Sequence, residues 1–235
     1  MKNNNQAHHP PRLLLFYLHG NADNIGGGPR HLWEEIQKES KLNQVDLVFA
    51  APEYPGYCPR TFGQVAPTVE ETKASVWKAY QWVRRTYPHH KPVVMGRSLG
   101  TGFATWVAAQ DKRIENLVLV SPFSSMNEVA SEQVTCGVSS LVPQDYLDNA
   151  AELSRAIEER SLGSSGSRSN YALRVLLFHG ARDTLIDPQH SRILCRLFNQ
   201  AKTHREQKIR LIIEPEQTHN SIPDLSPPLV SFLLS

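Results

Sequence analysis

Ser98 stands between two glycines in Gly96-Arg97-Ser98-Leu99-Gly100, and an apolar stub, Pro92-Val93-Val94-Met95, runs straight into it. A helix-forming run, 103–109, follows. A strand, a turn too tight for bulky side chains two before and two after the serine, and a helix together make a nucleophile elbow. Such a turn lifts the hydroxyl above a sheet edge and sets backbone amides beside it at a helix N-terminus. A hydroxyl is a weak nucleophile until a base takes its proton, and an acid must orient that base. The chemistry to look for is attack by serine, and the missing partners are a histidine and a carboxylate.

In open α/β sheets the reacting groups gather beyond the C-terminal strand ends. After the apolar run 175–178 comes Phe178-His179-Gly180-Ala181-Arg182-Asp183, and Asp183 is its first acid. Asp187 competes, but it precedes Pro188, a pair that reads as a helix cap followed by the first helical residue. After the run 209–213 comes Glu214-Pro215-Glu216-Gln217-Thr218-His219-Asn220, with His219 its only histidine. His19 and His179 compete for the base, yet each precedes a glycine at a strand end, a place for structural hydrogen bonding. After the first run, Leu18-His19-Gly20-Asn21 supplies a backbone amide at Asn21 that would pair with the Leu99 amide as an oxyanion hole.

These groups need a scaffold that brings several strand ends together. Strand-like runs fall at 13–18, 45–50, 92–95, 117–120, 175–178 and 209–213, and helical candidates at 30–40, 68–85, 99–110, 188–200 and 225–234. Alternating apolar and amphipathic runs imply an α/β fold, a mostly parallel sheet of about six strands with helices on both faces. In the second helix Val69, Val76, Tyr80 and Val83 define one face. Trp77, Trp82 and Trp106 are expected to pack against the sheet, and Cys195 in the core. Residues 1–12 read as a disordered lead, and 13–235 as a single domain with a lid-like insertion near 121–172. Within it, 161–170 is Ser/Gly-rich and expected to be a mobile loop.

At 235 residues and 40% hydrophobic content the chain can bury one sizeable core. Lys and Arg number 25 against 23 Asp and Glu, a balance that gives no reason to expect a nucleic-acid partner. Cys58, Cys136 and Cys195 are odd in number and far apart, which fits a reducing compartment better than a disulfide framework. The apolar run 13–18 is too short for a signal core or a membrane span, so a cytoplasmic protein is expected. The adjacent pairs His8-His9 and His89-His90 lack the spacing that converges on one metal, and no cofactor is expected. Composition leaves the oligomeric state open.

The pieces YLHGNADNI, EYPGYCPR, GRSLGTG, HGARD and THN, in this order, resemble the small α/β-hydrolase-domain serine hydrolases, the group that contains protein depalmitoylases and lysophospholipases. The likeness spans roughly 13–220. It departs at Cys58, where the family has glycine, at Thr218, where glycine usually precedes the histidine, and in lacking the N-terminal strands of the fuller fold. The resemblance implies Ser98 as nucleophile, His219 as base, Asp183 as orienter, and the Asn21 and Leu99 amides as oxyanion hole. It implies hydrolysis of an ester or thioester through an acyl-enzyme, the substrate being a lipidated protein or a lysolipid, at a site peripheral to membranes. Tyr54 and Tyr57 would line the substrate entrance, and Phe123, Met126, Val138, Leu141 and Val142 would either roof an acyl pocket or simply pack the segment 121–148 down. Two other readings are a serine peptidase, for which the chain has no room for a peptide-holding domain, and a non-catalytic binding protein on the same fold.

Overall fold

The computed structural model describes residues 10–21, 23–57, 67–133, 147–161, 172–202, 207–221 and 225–234. Cys58, Cys136, Val138, Leu141, Val142, the His8-His9 pair and most of the Ser/Gly-rich stretch lie outside them. Six strands, β1 (Arg12–Leu18), β2 (Asp46–Ala50), β3 (Lys91–Arg97), β4 (Asn116–Val120), β5 (Arg174–Gly180) and β6 (Lys208–Glu214), form one sheet in the order β2-β1-β3-β4-β5-β6. Every pairing is parallel. The central strands are buried on both faces, which is why they read in the sequence as unbroken apolar runs rather than alternations.

Among the described residues the helices are α1 (Gly28–Leu42), α2 (Val69–Thr86), α3 (Leu99–Gln110), α4 (Met126–Gln133), α5 (Asn149–Ser161), α6 (Gln189–Ala201) and α7 (Ser226–Leu234). Strand alternation divides the core in two. Leu13, Leu15, Tyr17, Val93 and Met95 pack with Leu32 and Ile36 of α1 and Leu229 and Phe232 of α7. Leu14, Phe16, Leu18 and Val94 pack on the other side with α2, α3, α5 and α6. The expected face of α2 is seen in Val76, Tyr80 and Val83, with a capping box at Thr68 and Glu71 starting the helix.

Five expectations change. Arg12 belongs to β1 and pairs with Asp46, so an ordered strand begins inside the proposed lead. The stretch 121–148 contains the short helix α4, and α5 follows it as part of the packed body, burying Leu153, Ala156 and Ile157. Trp77 and Trp106 do pack at the core, edge to face, but Trp82 is 60% exposed because it lies across α2 from Val76 and Tyr80. Phe123 is fully buried in the core rather than lining a roof, and Cys195 is only half-buried at the core's margin.

The chain runs outward from β1 to β2 and then crosses back to β3 on the other side of β1. That reversal opens a crevice beyond the C-terminal ends of β1 and β3, the position where ligands bind in open sheets. α3 fills the centre behind it. The helix is buried on nearly every side, and its small residues, Gly100, Gly102, Ala104 and Ala108, let it lie close to its neighbours.

Candidate active site

Ser98 ends the turn between β3 and α3 with φ 50° and ψ −121°, a backbone conformation that L-residues rarely adopt. The glycines around it are steric requirements. A Cβ on Gly96 would lie 2.4 Å from the Gly100 carbonyl oxygen, and one on Gly100 would lie 2.1 Å from the Leu18 carbonyl oxygen. The serine amide donates to Val120 O at 2.9 Å, tying the turn to the end of β4.

The structure brings Ser98, His219 and Asp183 together from the ends of three strands. Ser98 Oγ lies 3.1 Å from His219 Nε2, and His219 Nδ1 lies 2.8 Å from Asp183 Oδ2. Both distances allow a proton on Nδ1 donated to the carboxylate and a lone pair on Nε2 facing the hydroxyl. The Asp183 side chain is fully buried. Its Oδ1 accepts from the amides of Leu185 and Ile186 at 3.0 and 2.9 Å. Burial alone would push this carboxyl up. Hydrogen bonds from His179 and His219, the Ile186 amide and the charge on His219 together outweigh burial and hold it well below the usual carboxylate range.

The competing residues have other partners. Asp187 accepts from the Gln189 amide at 2.7 Å, capping α6. His179 Nδ1 meets Ser191 Oγ at 2.7 Å, while its Nε2 lies 2.9 Å from Ile186 O and 3.3 Å from Asp183 Oδ2, so it packs against the Asp183 carboxylate. His19 is buried and its Nε2 meets Glu53 Oε1 at 2.9 Å, with the ring stacked on Tyr54.

Asn21 and Leu99 flank the candidate nucleophile, Ser98. A Cβ on Gly20 would lie 3.4 Å from Ser98 Cβ, so the chain leaving β1 passes directly beside the serine. Neither the Asn21 nor the Leu99 amide donates to an acceptor among the described residues. The Gly20 carbonyl accepts from His19 Nδ1 at 2.9 Å, so the trans peptide turns the Asn21 N–H away from the His19 ring.

Tyr54 is buried and its hydroxyl donates to His19 O at 2.9 Å, while the Tyr57 hydroxyl donates to Asn21 Oδ1. Both rings line a recess of about 70 Å³ shared with Val69, Leu99, Phe103 and Leu147. A larger open groove, about 460 Å³, is lined by Pro11, Leu42 and Asp46. It lies at the N-terminal strand ends, far from the elbow, and presents no nucleophile.

Sequence reasoning missed Arg97. It neighbours Ser98, and its guanidinium donates to His219 O at 2.8 Å. Only the arginine inside the elbow motif hinted at it.

Comparison with known proteins agrees with this architecture. A family model for the alpha/beta hydrolase fold matches residues 14–149. The chain is 26% identical over 212 residues to the lysophosphatidylserine lipase ABHD12 of Danio rerio, covering 88% of this chain and 52% of that protein. It thus spans about half the length of that curated relative. Among solved structures, Est1E of Butyrivibrio proteoclasticus with bound ferulic acid superposes with a TM-score of 0.66 at 15% identity, over 95% of this chain and 89% of that one. Mouse alpha/beta hydrolase domain-containing protein 10 gives 0.53 at 14% identity, over 94% and 86%. With six parallel strands, helices on both faces and an elbow after β3, the chain belongs to the α/β-hydrolase fold family.

Proposed function

We propose that this protein is a serine hydrolase that cleaves a carboxylic ester or thioester through an acyl-enzyme. The continuous chain from Ser98 Oγ through the His219 ring to Asp183 carries the reading. In the first step His219 Nε2 takes the Ser98 proton as Oγ attacks the carbonyl carbon. The oxyanion that forms is held by the Asn21 and Leu99 amides, and each such donor is worth about 3–4 kcal/mol when removed. Collapse breaks the bond to the leaving oxygen or sulfur, which receives the proton from His219. Water then repeats the sequence on the acyl-enzyme, releasing the carboxylic acid and restoring Ser98. Asp183 keeps Nδ1 protonated and stabilises the imidazolium formed in both halves.

An apolar acyl group is the reading that the recess beside Leu99 supports, since Tyr54, Tyr57, Val69, Phe103 and Leu147 offer it mostly carbon surface. The lipase name of the Danio rerio relative favours a lipid ester, and a lipidated protein is the thioester counterpart. No helix among the described residues is long and apolar enough to cross a membrane. We place the activity in one domain, 13–235.

The test is labelling with a fluorophosphonate, followed by turnover of nitrophenyl esters and thioesters of increasing acyl length. Wild-type protein should label and Ser98→Ala should not. Folded wild-type protein that neither labels nor turns over any of these substrates would refute the reading.

A further inference from the structure

Two adjacent residues of the elbow grip His219 at opposite ends. Ser98 Oγ faces the imidazole, and Arg97 Nη2 donates to the backbone carbonyl at 2.8 Å across 122 sequence positions. The strand explains the arrangement. Alternation along β3 puts Arg97 on the same face as Val93 and Met95, the face covered by α1 and α7, at the point where that face runs out. Tyr17 of β1 shares the face, and the Arg97 charge partly opposes the rise that burial imposes on its hydroxyl. Ser98, one residue later, points into the crevice.

Arg97 has no carboxylate within ion-pair distance among the described residues. A half-buried guanidinium without a counter-charge gains most from a carbonyl dipole, and the charge-assisted bond to His219 O supplies one. The rest of the loop after β6 is tied elsewhere. Ala181 N donates to Glu214 O at 2.8 Å, Arg182 N donates to Gln217 O at 2.9 Å, and Thr218 and Ser221 bond each other. These contacts fix the loop to the acid's side of the site or to itself. Arg97 ties the loop's backbone to β3, the strand that carries the nucleophile.

We propose that Arg97 is a positioning residue for the catalytic base, setting the distance between Ser98 and His219 by holding the base's own carbonyl to the residue beside the nucleophile. This rests on His219 being the base. The consequence falls on the chemical step. Nε2 must stay within reach of Oγ while accepting its proton and then turn it over to the leaving group, and a drift of about 1 Å in such a geometry costs on the order of 10²-fold.

The experiment is a double-mutant cycle on turnover of an activated nitrophenyl ester, with melting temperature read in parallel. Arg97→Met keeps the aliphatic stem and removes the donor; Arg97→Lys restores a donor. Arg97→Met should lower kcat by about 10- to 100-fold with KM changed by less than about threefold. Arg97→Lys should recover part of the loss. In a His219→Ala background Arg97→Met should cost nothing further, because its effect passes through the histidine. An Arg97→Met enzyme with wild-type kcat, or the same fold-loss with and without His219, overturns the proposal. If Arg97→Met does not fold, Arg97→Leu takes its place in the same cycle. Full activity in His219→Ala alone would instead refute the reading of the base, a result distinct from either outcome for Arg97.

Discussion

Gly100 is where a single methyl group should separate the two halves of the proposed oxyanion hole. On one side lies α3, whose first amide is Leu99; on the other lies the tip of β1, which leads to Asn21. A Cβ at 100 would sit 2.1 Å from Leu18 O and 2.6 Å from His19 O. Both are backbone oxygens, at the end of a central strand and just beyond it, so no side-chain rotation can relieve the overlap. The helix start and the strand tip must part by about 1 Å, and a shift of that size in aligned catalytic groups costs on the order of 10²-fold. Losing one donor outright would cost about 10²- to 10³-fold. Gly100→Ala is therefore expected to lower kcat by about two to three orders of magnitude.

The cost in stability should be smaller in proportion. Overpacking of this kind costs about 1–3 kcal/mol, and in a domain of this size each kcal/mol lowers Tm by about 2–4 °C. Gly102→Ala is the matched comparison. Its Cβ would lie 2.7 Å from Leu147 Cβ, on the side of α3 that faces the recess rather than β1. That variant should lose comparable stability and change KM more than kcat. Steady-state kinetics on a short nitrophenyl ester, with thermal melts of both variants, makes the comparison. A Gly100→Ala enzyme with near-wild-type kcat, or equal kcat losses in both variants, would refute the wedge argument.

Asp183→Asn leaves acceptors for the Leu185 and Ile186 amides but cannot stabilise an imidazolium, so kcat should fall about 10⁴-fold. Because the folded-state carboxyl is held below its ordinary range, its contribution to stability is complete above about pH 4 and fades as pH falls below that value. The Tm gap between wild type and Asp183→Asn should stay level from about pH 8 to 5 and shrink in stronger acid; a gap that widens in acid contradicts the assignment. Arg160 is fully buried at the C-terminal end of α3, donating to the carbonyls of Ala108, Asp111, Ile114 and Ala156. Burial pulls its guanidinium down to about 10, which leaves it charged at neutral pH. Arg160→Met strands those carbonyls while relieving the burial of a cation. It should cost about 3 kcal/mol, a Tm drop of roughly 10 °C, with kcat little changed well below the melt; an unchanged Tm would refute the capping role.

Arg160 also explains why α5 was hard to read. The buried side of α5 is Leu153, Ala156, Ile157 and Arg160, and a charged residue in that series breaks the apolar period that marks a core-facing helix. α4 has only eight residues and is largely polar, so it carries no period to detect. The strands were legible because burial on both faces compresses them into runs of Leu, Val and Ile bounded by polar residues. Trp82 shows the limit of residue type: its bulk argues for burial, but helical register sets the face, and position 82 falls opposite Val76 and Tyr80. The six candidate strands and the order of Ser98, Asp183 and His219 needed only local patterns plus the rule that chemistry sits at strand ends. Arg97 and His179 needed something else, the identity of a partner that is a backbone carbonyl or a carboxylate brought in by folding.

The elbow depends on the same kind of hidden contact. A non-glycine residue at φ 50° costs on the order of 1–3 kcal/mol, and it persists only where the surroundings over-determine it. Ser98 O accepts from the Thr101 amide at 2.9 Å and from Thr101 Oγ1 at 2.6 Å. Thr101 Oγ1 in turn accepts from Asn149 Nδ2 at 2.9 Å, and the same amide nitrogen donates to Phe123 O at 2.8 Å. The carbonyl of the candidate nucleophile is thus braced through a threonine by the first residue of α5, and through Asn149 by the chain leaving β4. Asn149 is fully buried, so its hydrogen bonds are made without competition from water. Helix α5 therefore has a role beyond covering α3. It carries at its N-terminus the amide that braces the strained turn, and at its C-terminal end the guanidinium that caps the helix which the turn begins.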